Sequence, residues 1–320
     1  MPRRSFGRSL FALALVCASP AGRAWPQPTT RLVTVPATGA AADGDSLFTA
    51  ISDDGRFVAF STSATNIIPG DANEDVPDVA VRDLEAGETI LVSKSTQGAQ
   101  GNGASTFPSL SGDGLRVVFQ SQATNLVEPD ENGNTSDIFL QDRAAGTTVL
   151  VSVGSPGLQG PGSQANGAST TPSLSHNGRF VVFLSTATNL AGDLALEPGV
   201  WNVYRRDTQA GTTVLASADA GGKPLASDAA NPSISSDGHF VVFATGAALI
   251  ATDRNDLSDV YLKDVESGAV TLVSRGLRGG AAAGASDAPA LDAGATRVAF
   301  SSTAGNLVDG VESTFRRIYA

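Results

Sequence analysis

The chain has 320 residues, 17% of them charged, with 21 Lys and Arg against 32 Asp and Glu, for a net charge of −11. That acidic balance argues against nucleic acid or an anionic membrane as partner, since both select basic surfaces. The single cysteine, Cys17, excludes an internal disulfide framework, so packing or bound ions must hold the fold.

Residues 1–24 read as an export signal. Arg3, Arg4 and Arg8 form a basic start, Leu10 to Ala18 is a short apolar run, and Gly22-Arg23-Ala24 is a small-residue cleavage site. The run falls short of the ~20 residues a membrane-spanning helix needs. Arg3-Arg4-Ser5-Phe6 also resembles the twin-arginine export pattern, so the general and twin-arginine routes both stay open. The mature chain, 25–320, then carries 21 − 4 = 17 basic and 32 acidic residues, net −15. It is expected in the periplasm or outside the cell.

Next in order comes Thr29-Thr30-Arg31-Leu32-Val33-Thr34-Val35, a strand-like run. Beyond it one segment is written five times, about sixty residues apart: SDDGRFVAF from Ser52, SGDGLRVVF from Ser111, SHNGRFVVF from Ser175, SSDGHFVVF from Ser235 and the worn DAGATRVAF from Asp292. The turn glycines are read as Gly55, Gly114, Gly178, Gly238 and Gly294. A strand-rich repeat of this length cannot bury its own apolar face and needs copies of itself as neighbours.

Four strand signals recur in the copies. A small-residue segment (TFPSLS from Thr106, TTPSLS from Thr170) leads into the glycine turn and its apolar run. Then come DVAVRD from Asp78, DIFLQD from Asp137, NVYRRD from Asn202 and DVYLKD from Asp259, and last TILVS from Thr89 or TTVLVSV from Thr147. Runs of Val, Ile, Thr, Phe and Tyr broken by Gly, Asp, Asn and Pro are strand chemistry. Continuous apolar runs such as Phe180 to Phe183 require cover on both faces. The expected fold is an all-β, five-bladed β-propeller of four-stranded antiparallel blades over 25–320. The fifth copy stops inside its third strand at Arg317-Ile318-Tyr319-Ala320, and Thr29 to Val35 matches TTVLVSV, so the N-terminal strand is expected to complete the last blade.

The S-x-D-G-x-x-V-x-F core resembles the TolB-like, WD-repeat-like propeller repeats of bacterial envelope proteins, over essentially all of Leu32 to Ala320. The resemblance implies a propeller; such propellers serve as interaction platforms, substrate gates and occasional enzymes, so it does not select a function.

The sharpest chemical pattern lies between the second and third strands. Copy one supplies Asp71, Asn73, Asp75 and Asp78, copy two Asp130, Asn132, Asn134 and Asp137, and copy four Asp253, Asn255 and Asp259. Oxygen side chains at alternate positions curl around hard cations, which predicts Ca2+ at these loops. The same residues are common turn formers, and that reading stands beside the first. Copy three offers only Asp193 and Glu197, and copy five Asp309 and Glu312. Asp83, Asp142, Asp207 and Asp264, each four residues before a glycine, read as hairpin turns, and Asn66, Asn125, Asn189 and Asn306 as turn supports. His176 and His239 fall in glycine turns and are expected exposed. Trp201, unmatched elsewhere, is a candidate ligand contact, whereas Tyr204 aligns with core positions.

No nucleophile elbow or catalytic cysteine is present. The expected function is a non-enzymatic binding platform for a protein, peptide or glycan. The rival is a carbohydrate-active hydrolase using carboxylates at the propeller axis.

Overall fold

A computed structural model describes residues 30–36, 38–156, 163–192, 194–311 and 315–320. The export signal at 1–24 lies outside these residues, as do Asp193 and Glu312. The chain divides into two units, residues 1–32 and 33–320; of the first, residues 30–32 carry no regular structure. Among the described residues all regular structure is β, and no helix is long and apolar enough to cross a membrane.

The strands fall into five antiparallel sheets, each built from consecutive strands. The first holds β1 (Ser46–Ile51), β2 (Phe57–Thr62), β3 (Asp78–Asp83) and β4 (Glu88–Leu91); the second β5 (Ser105–Leu110), β6 (Arg116–Ser121), β7 (Asp137–Asp142) and β8 (Thr147–Leu150). The third holds β9 (Ser169–Leu174), β10 (Phe180–Ser185), β11 (Asn202–Asp207) and β12 (Thr212–Leu215); the fourth β13 (Ala229–Ile234), β14 (Phe240–Thr245), β15 (Asp259–Asp264) and β16 (Val270–Leu272). The fifth has three strands, β17 (Ser286–Leu291), β18 (Val298–Ser302) and β19 (Arg317–Tyr319).

Alternating turns and β-branched runs make each sheet, but burial comes from the next one. Val79 and Val81 of the first sheet pack on Leu110 and Phe119 of the second. Ile138 packs with Leu174 and Phe183, Val203 with Ile234 and Phe243, and Val260 with Leu291 and Phe300. The expectation that the second-strand runs are covered on both faces therefore holds. Inside the second to fifth sheets Phe119 meets Phe139, Phe183 meets Tyr204, Phe243 meets Tyr261 and Phe300 meets Tyr319, with ring centroids 5.8–6.4 Å apart, while in the first Phe60 faces Ala80.

The glycine of the repeated turn has two reasons to be glycine. Gly114, Gly178 and Gly238 sit at φ +67°, +69° and +81°, the left-handed region that disfavours side chains. A Cβ there would also collide with Phe57, Arg116 or Phe180, the residues of the preceding sheet that lie flat on the turn. In the fifth copy the left-handed position is Ala295, at φ +52°, rather than Gly294, so the worn turn is offset by one residue from its sequence reading. The Asx hairpins are as expected: the Asp83, Asp142, Asp207 and Asp264 carboxylates each accept two N–H groups of the following turn.

The N-terminal segment does not appear as a strand among the described residues, and β19 pairs with β18 alone. Val33 instead packs on Phe60, Ala64 and Ile67 of the first sheet. Val151, its match in the second copy, packs on Phe183, Ala187 and Leu190 of the third in the same way. The Arg82 guanidinium donates to the Val35 carbonyl at 3.2 Å, as Arg206 reaches the Val153 and Gly154 carbonyls.

Candidate functional site

Each innermost strand carries the same irregularity. β1, β5, β9, β13 and β17 break register with their neighbours at one point, a β-bulge. At that point Phe48, Phe107, Thr171, Asn231 and Ala288 adopt φ between +48° and +52°. For a bulky or β-branched side chain this is a strained conformation, of a kind that concentrates at functional sites. The next residue is proline in four copies, Pro108, Pro172, Pro232 and Pro289, and Thr49 in the first. These ten residues together line one cavity of about 400 Å³. The bulges of the five innermost strands thus line one axial cavity. Phe48 and Phe107 place their ring centroids 4.0 Å apart on one side. On the other, the Asn231 amide donates to Asp287 Oδ1 at 2.7 Å.

No lining residue is acidic. Asp287, beside Ala288, is the carboxylate that touches the lining through Asn231. Sequence reasoning missed this axial set because its members look like ordinary small-residue strand positions. The signal that marks them is the proline recurring one residue after the bulge.

The loops expected to hold Ca2+ are organised around an amide. Gln100 Nε2 lies 2.8 Å from Asp71 Oδ1, 2.8 Å from Asn73 Oδ1 and 2.6 Å from Asp78 Oδ2. Gln164 Nε2 meets Asp130, Asn132 and Asp137 at 3.2, 3.0 and 2.8 Å. In both cases the glutamine oxygen accepts a backbone N–H, from Ala72 or Glu131, which fixes the amide's orientation. A donor NH2 therefore stands where the oxygen pattern predicted a cation, and as arranged these two loops do not fit one. Asp75 and Asn134 are exposed and make none of these bonds. In the fourth copy Ala281 stands at the glutamine position; Asn255 Nδ2 donates to Asp259 Oδ2 at 2.9 Å and the Tyr261 hydroxyl donates to Asp253 Oδ2. Among the described residues no group of three or more His, Cys, Asp or Glu side chains is gathered as a metal site.

The closing aspartates are buried and tied to the outer strand. Ser93, Ser152 and Ser274 donate to Asp78, Asp137 and Asp259 at 2.5–2.6 Å, and Ser217 to Asn202 at 3.1 Å in the third copy. Burial pushes Asp78 up to about 6, against the hydrogen bonds from Ser93 and Gln100, and raises Asp137 and Asp259 as well. Asp83 and Asp207 move the other way, held low chiefly by the Arg56 and Arg179 guanidinium groups at 2.7 and 2.6 Å.

The remaining sequence candidates are structural. Trp201 packs against the core cluster between the third and fourth sheets, and Tyr204 is fully buried with its hydroxyl on the Ala187 carbonyl. His176 and His239 are exposed in their turns, His176 Nδ1 lying 3.0 Å from Asp53. Asn66, Asn125 and Asn189 clamp the segment before an innermost strand by donating to Ala41, Gln100 and Gln164 carbonyls.

Solved structures share this arrangement of sheets. An oligogalacturonate lyase in complex with manganese aligns with a TM-score of 0.51 at 14% identity, covering 85% of this chain and 61% of that one. The fold is a β-propeller. TolB from Acinetobacter baumannii aligns at 16% identity and a TM-score of 0.46, covering 82% of this chain. A putative TolB from Agrobacterium tumefaciens aligns at 15% identity and 0.47, covering 86% of this chain and 76% of that one. The chain spans 52% of the length of the Acinetobacter TolB. At these identities the likeness is one of fold alone. No protein-family model matches the chain, and no curated protein matches it in sequence.

Proposed function

We propose that this protein is an exported, non-enzymatic binding platform whose ligand, a protein or peptide segment, enters the axial cavity. The observation that carries this reading is that five strained, mostly apolar bulge residues line one solvent-open cavity. Ligand sites are concave and largely apolar, with a few placed polar groups. Glycosidic hydrolysis through paired carboxyl groups needs two of them flanking the scissile bond. Among the described residues the axial lining contacts one, Asp287. The test is to pan a random peptide library on the protein and on Thr49→Trp, which fills the cavity. Binding lost in the variant supports the platform; polysaccharide cleavage that Thr49→Trp abolishes would overturn it.

The same reading includes a closed ring of five blades in which Thr29–Val35 completes the fifth sheet. It is supported by Val33 and Val35, which occupy on the first sheet the seat that Val151 and Val153 take on the third. It is also supported by two matched apolar residues. Ile51 is 62% exposed and Ile318 75%, while Leu110, Leu174 and Ile234, which match Ile51, are 7–9% exposed beneath a neighbouring sheet. Ile318 on Ile51 repeats the contact of Val79 with Leu110. Ca2+ stays in this reading at the fourth loop alone, where Asp253 and Asp259 meet no glutamine and the ion would displace the Asn255 amide.

A further inference from the structure

The axial cavity has an electrostatic character that its apolar residues conceal. Proline within a sheet is confined to edge strands, strand starts and β-bulges, where no ladder N–H is lost. Pro108, Pro172, Pro232 and Pro289 lie at the bulges of innermost strands and line the cavity, so these four positions offer it no backbone N–H. The Thr171 hydroxyl, shielded and lining the same cavity, has no hydrogen-bond partner. Asp287 Oδ1, reached through the lining residue Asn231, accepts from the Asn231 amide and from the Ala288 N–H, both at 2.7 Å. Arg316, the cation nearby, is bound to Ser301 Oγ at 2.8 Å and makes no ion pair with Asp287.

A lining poor in N–H donors, an aromatic face and one carboxylate suit a positively charged group. Resting on the platform reading above, we propose that the axial cavity takes a primary ammonium or guanidinium group, the Phe48 and Phe107 rings contributing a cation–π face and Asp287 the counter-charge. The acidic balance of the chain, net −11, favours the approach of such a group.

The test titrates the full mature chain calorimetrically with capped Gly-Lys-Gly and Gly-Arg-Gly peptides, with the norleucine and glutamate analogues, and with n-butylammonium. The cationic peptides are expected to bind and the norleucine and glutamate analogues to bind at least about tenfold more weakly, as a charge-assisted hydrogen bond implies. Asp287→Asn should weaken the cationic peptides by about tenfold on the same basis. Phe48→Leu should weaken them too, and keeps the inference testable should Asp287→Asn fail to fold. Peptides binding more tightly than butylammonium would place the cation on a protein partner; equal affinity would make it a free amine. Norleucine binding as well as lysine, and lost in Thr49→Trp, would overturn the cationic class while leaving the platform standing. No binding by any probe to folded protein would overturn the inference, with the library panning still deciding the platform.

Discussion

Gln100 and Asp78 lie 22 residues apart, yet the Gln100 amide nitrogen stands 2.6 Å from Asp78 Oδ2 and is shared with Asp71 and Asn73. Three oxygens that would repel one another are drawn together by a neutral donor supplied from the segment after the outer strand. The second copy repeats this with Gln164, and the third, with Pro224 at the glutamine position, carries Asn202 in place of the buried aspartate. The third copy thus lacks both the carboxylate and the glutamine, whereas the fourth keeps Asp259 with Ala281 at the glutamine position.

Removing that donor should therefore be costly. Gln100→Ala leaves Asp78 buried with one acceptor oxygen unsatisfied, and a loss of about 1–3 kcal/mol is expected in urea unfolding at pH 7. An unchanged midpoint would show that the amide is not a brace.

Stability should vary with pH in two opposed windows. Asp78 is raised from 3.8 to about 6, so the folded state binds its proton more tightly than the unfolded chain. Its contribution is fully present below about pH 4 and is lost as pH rises to about 6. Asp207, lowered to about 2, contributes stability above about pH 4 that is lost as pH falls through the folded value. Asp78→Asn should flatten the decline between about pH 4 and 6 and leave the acid limb intact. Thermal melts across pH 2–8, a range set by these ~2 and ~6 values, would detect a slope that the substitution fails to change.

The turn glycines should differ among themselves. Gly55 and Gly238 both have positive φ, at +73° and +81°, but a Cβ on Gly55 meets open space and one on Gly238 meets Phe180. Gly55→Ala is expected to cost about 1–2 kcal/mol, the backbone strain alone. Gly238→Ala should cost more, by about 1–3 kcal/mol of displaced packing. Equal losses in denaturant titrations would mean that the inter-sheet contact carries no weight.

Ring closure can be trapped chemically. The one cysteine of the chain is Cys17, so in a protein of residues 25–320 Ile51→Cys with Ile318→Cys introduces a single pair. Under mild oxidation an intramolecular disulfide is expected, seen as a mobility shift on non-reducing gels. Free thiols or cross-linked dimers would instead show that the first and fifth sheets do not meet.

At the fourth loop, a chelator should lower the melting temperature of the wild type and leave Asp253→Asn unaffected, since a ligand of the native state stabilises it by mass action. A wild-type curve indifferent to both chelator and added Ca2+ removes calcium from the account.

The sheets were legible in advance because Phe60, Phe119, Phe183, Phe243 and Phe300 recur in matching turn-and-strand contexts, and a repeat of that kind must stack on itself. The offset at Ala295 was not, since only the backbone angle distinguishes it from Gly294. The D-x-N pattern was visible but its meaning was not. Which atom fills a ring of oxygens depends on what the fold delivers from elsewhere, and Gln100 arrives from beyond an entire strand.

The sequence by itself determined the repeating strand, turn and hairpin chemistry, because those rest on interactions between residues close along the chain. Only the tertiary structure decided that a glutamine amide sits in the acidic loops and that five bulges converge on one cavity, because both are made by segments of different sheets brought together through burial. The physical reason is one of range: propensity acts over a few residues, whereas a site is the sum of contacts that packing alone creates.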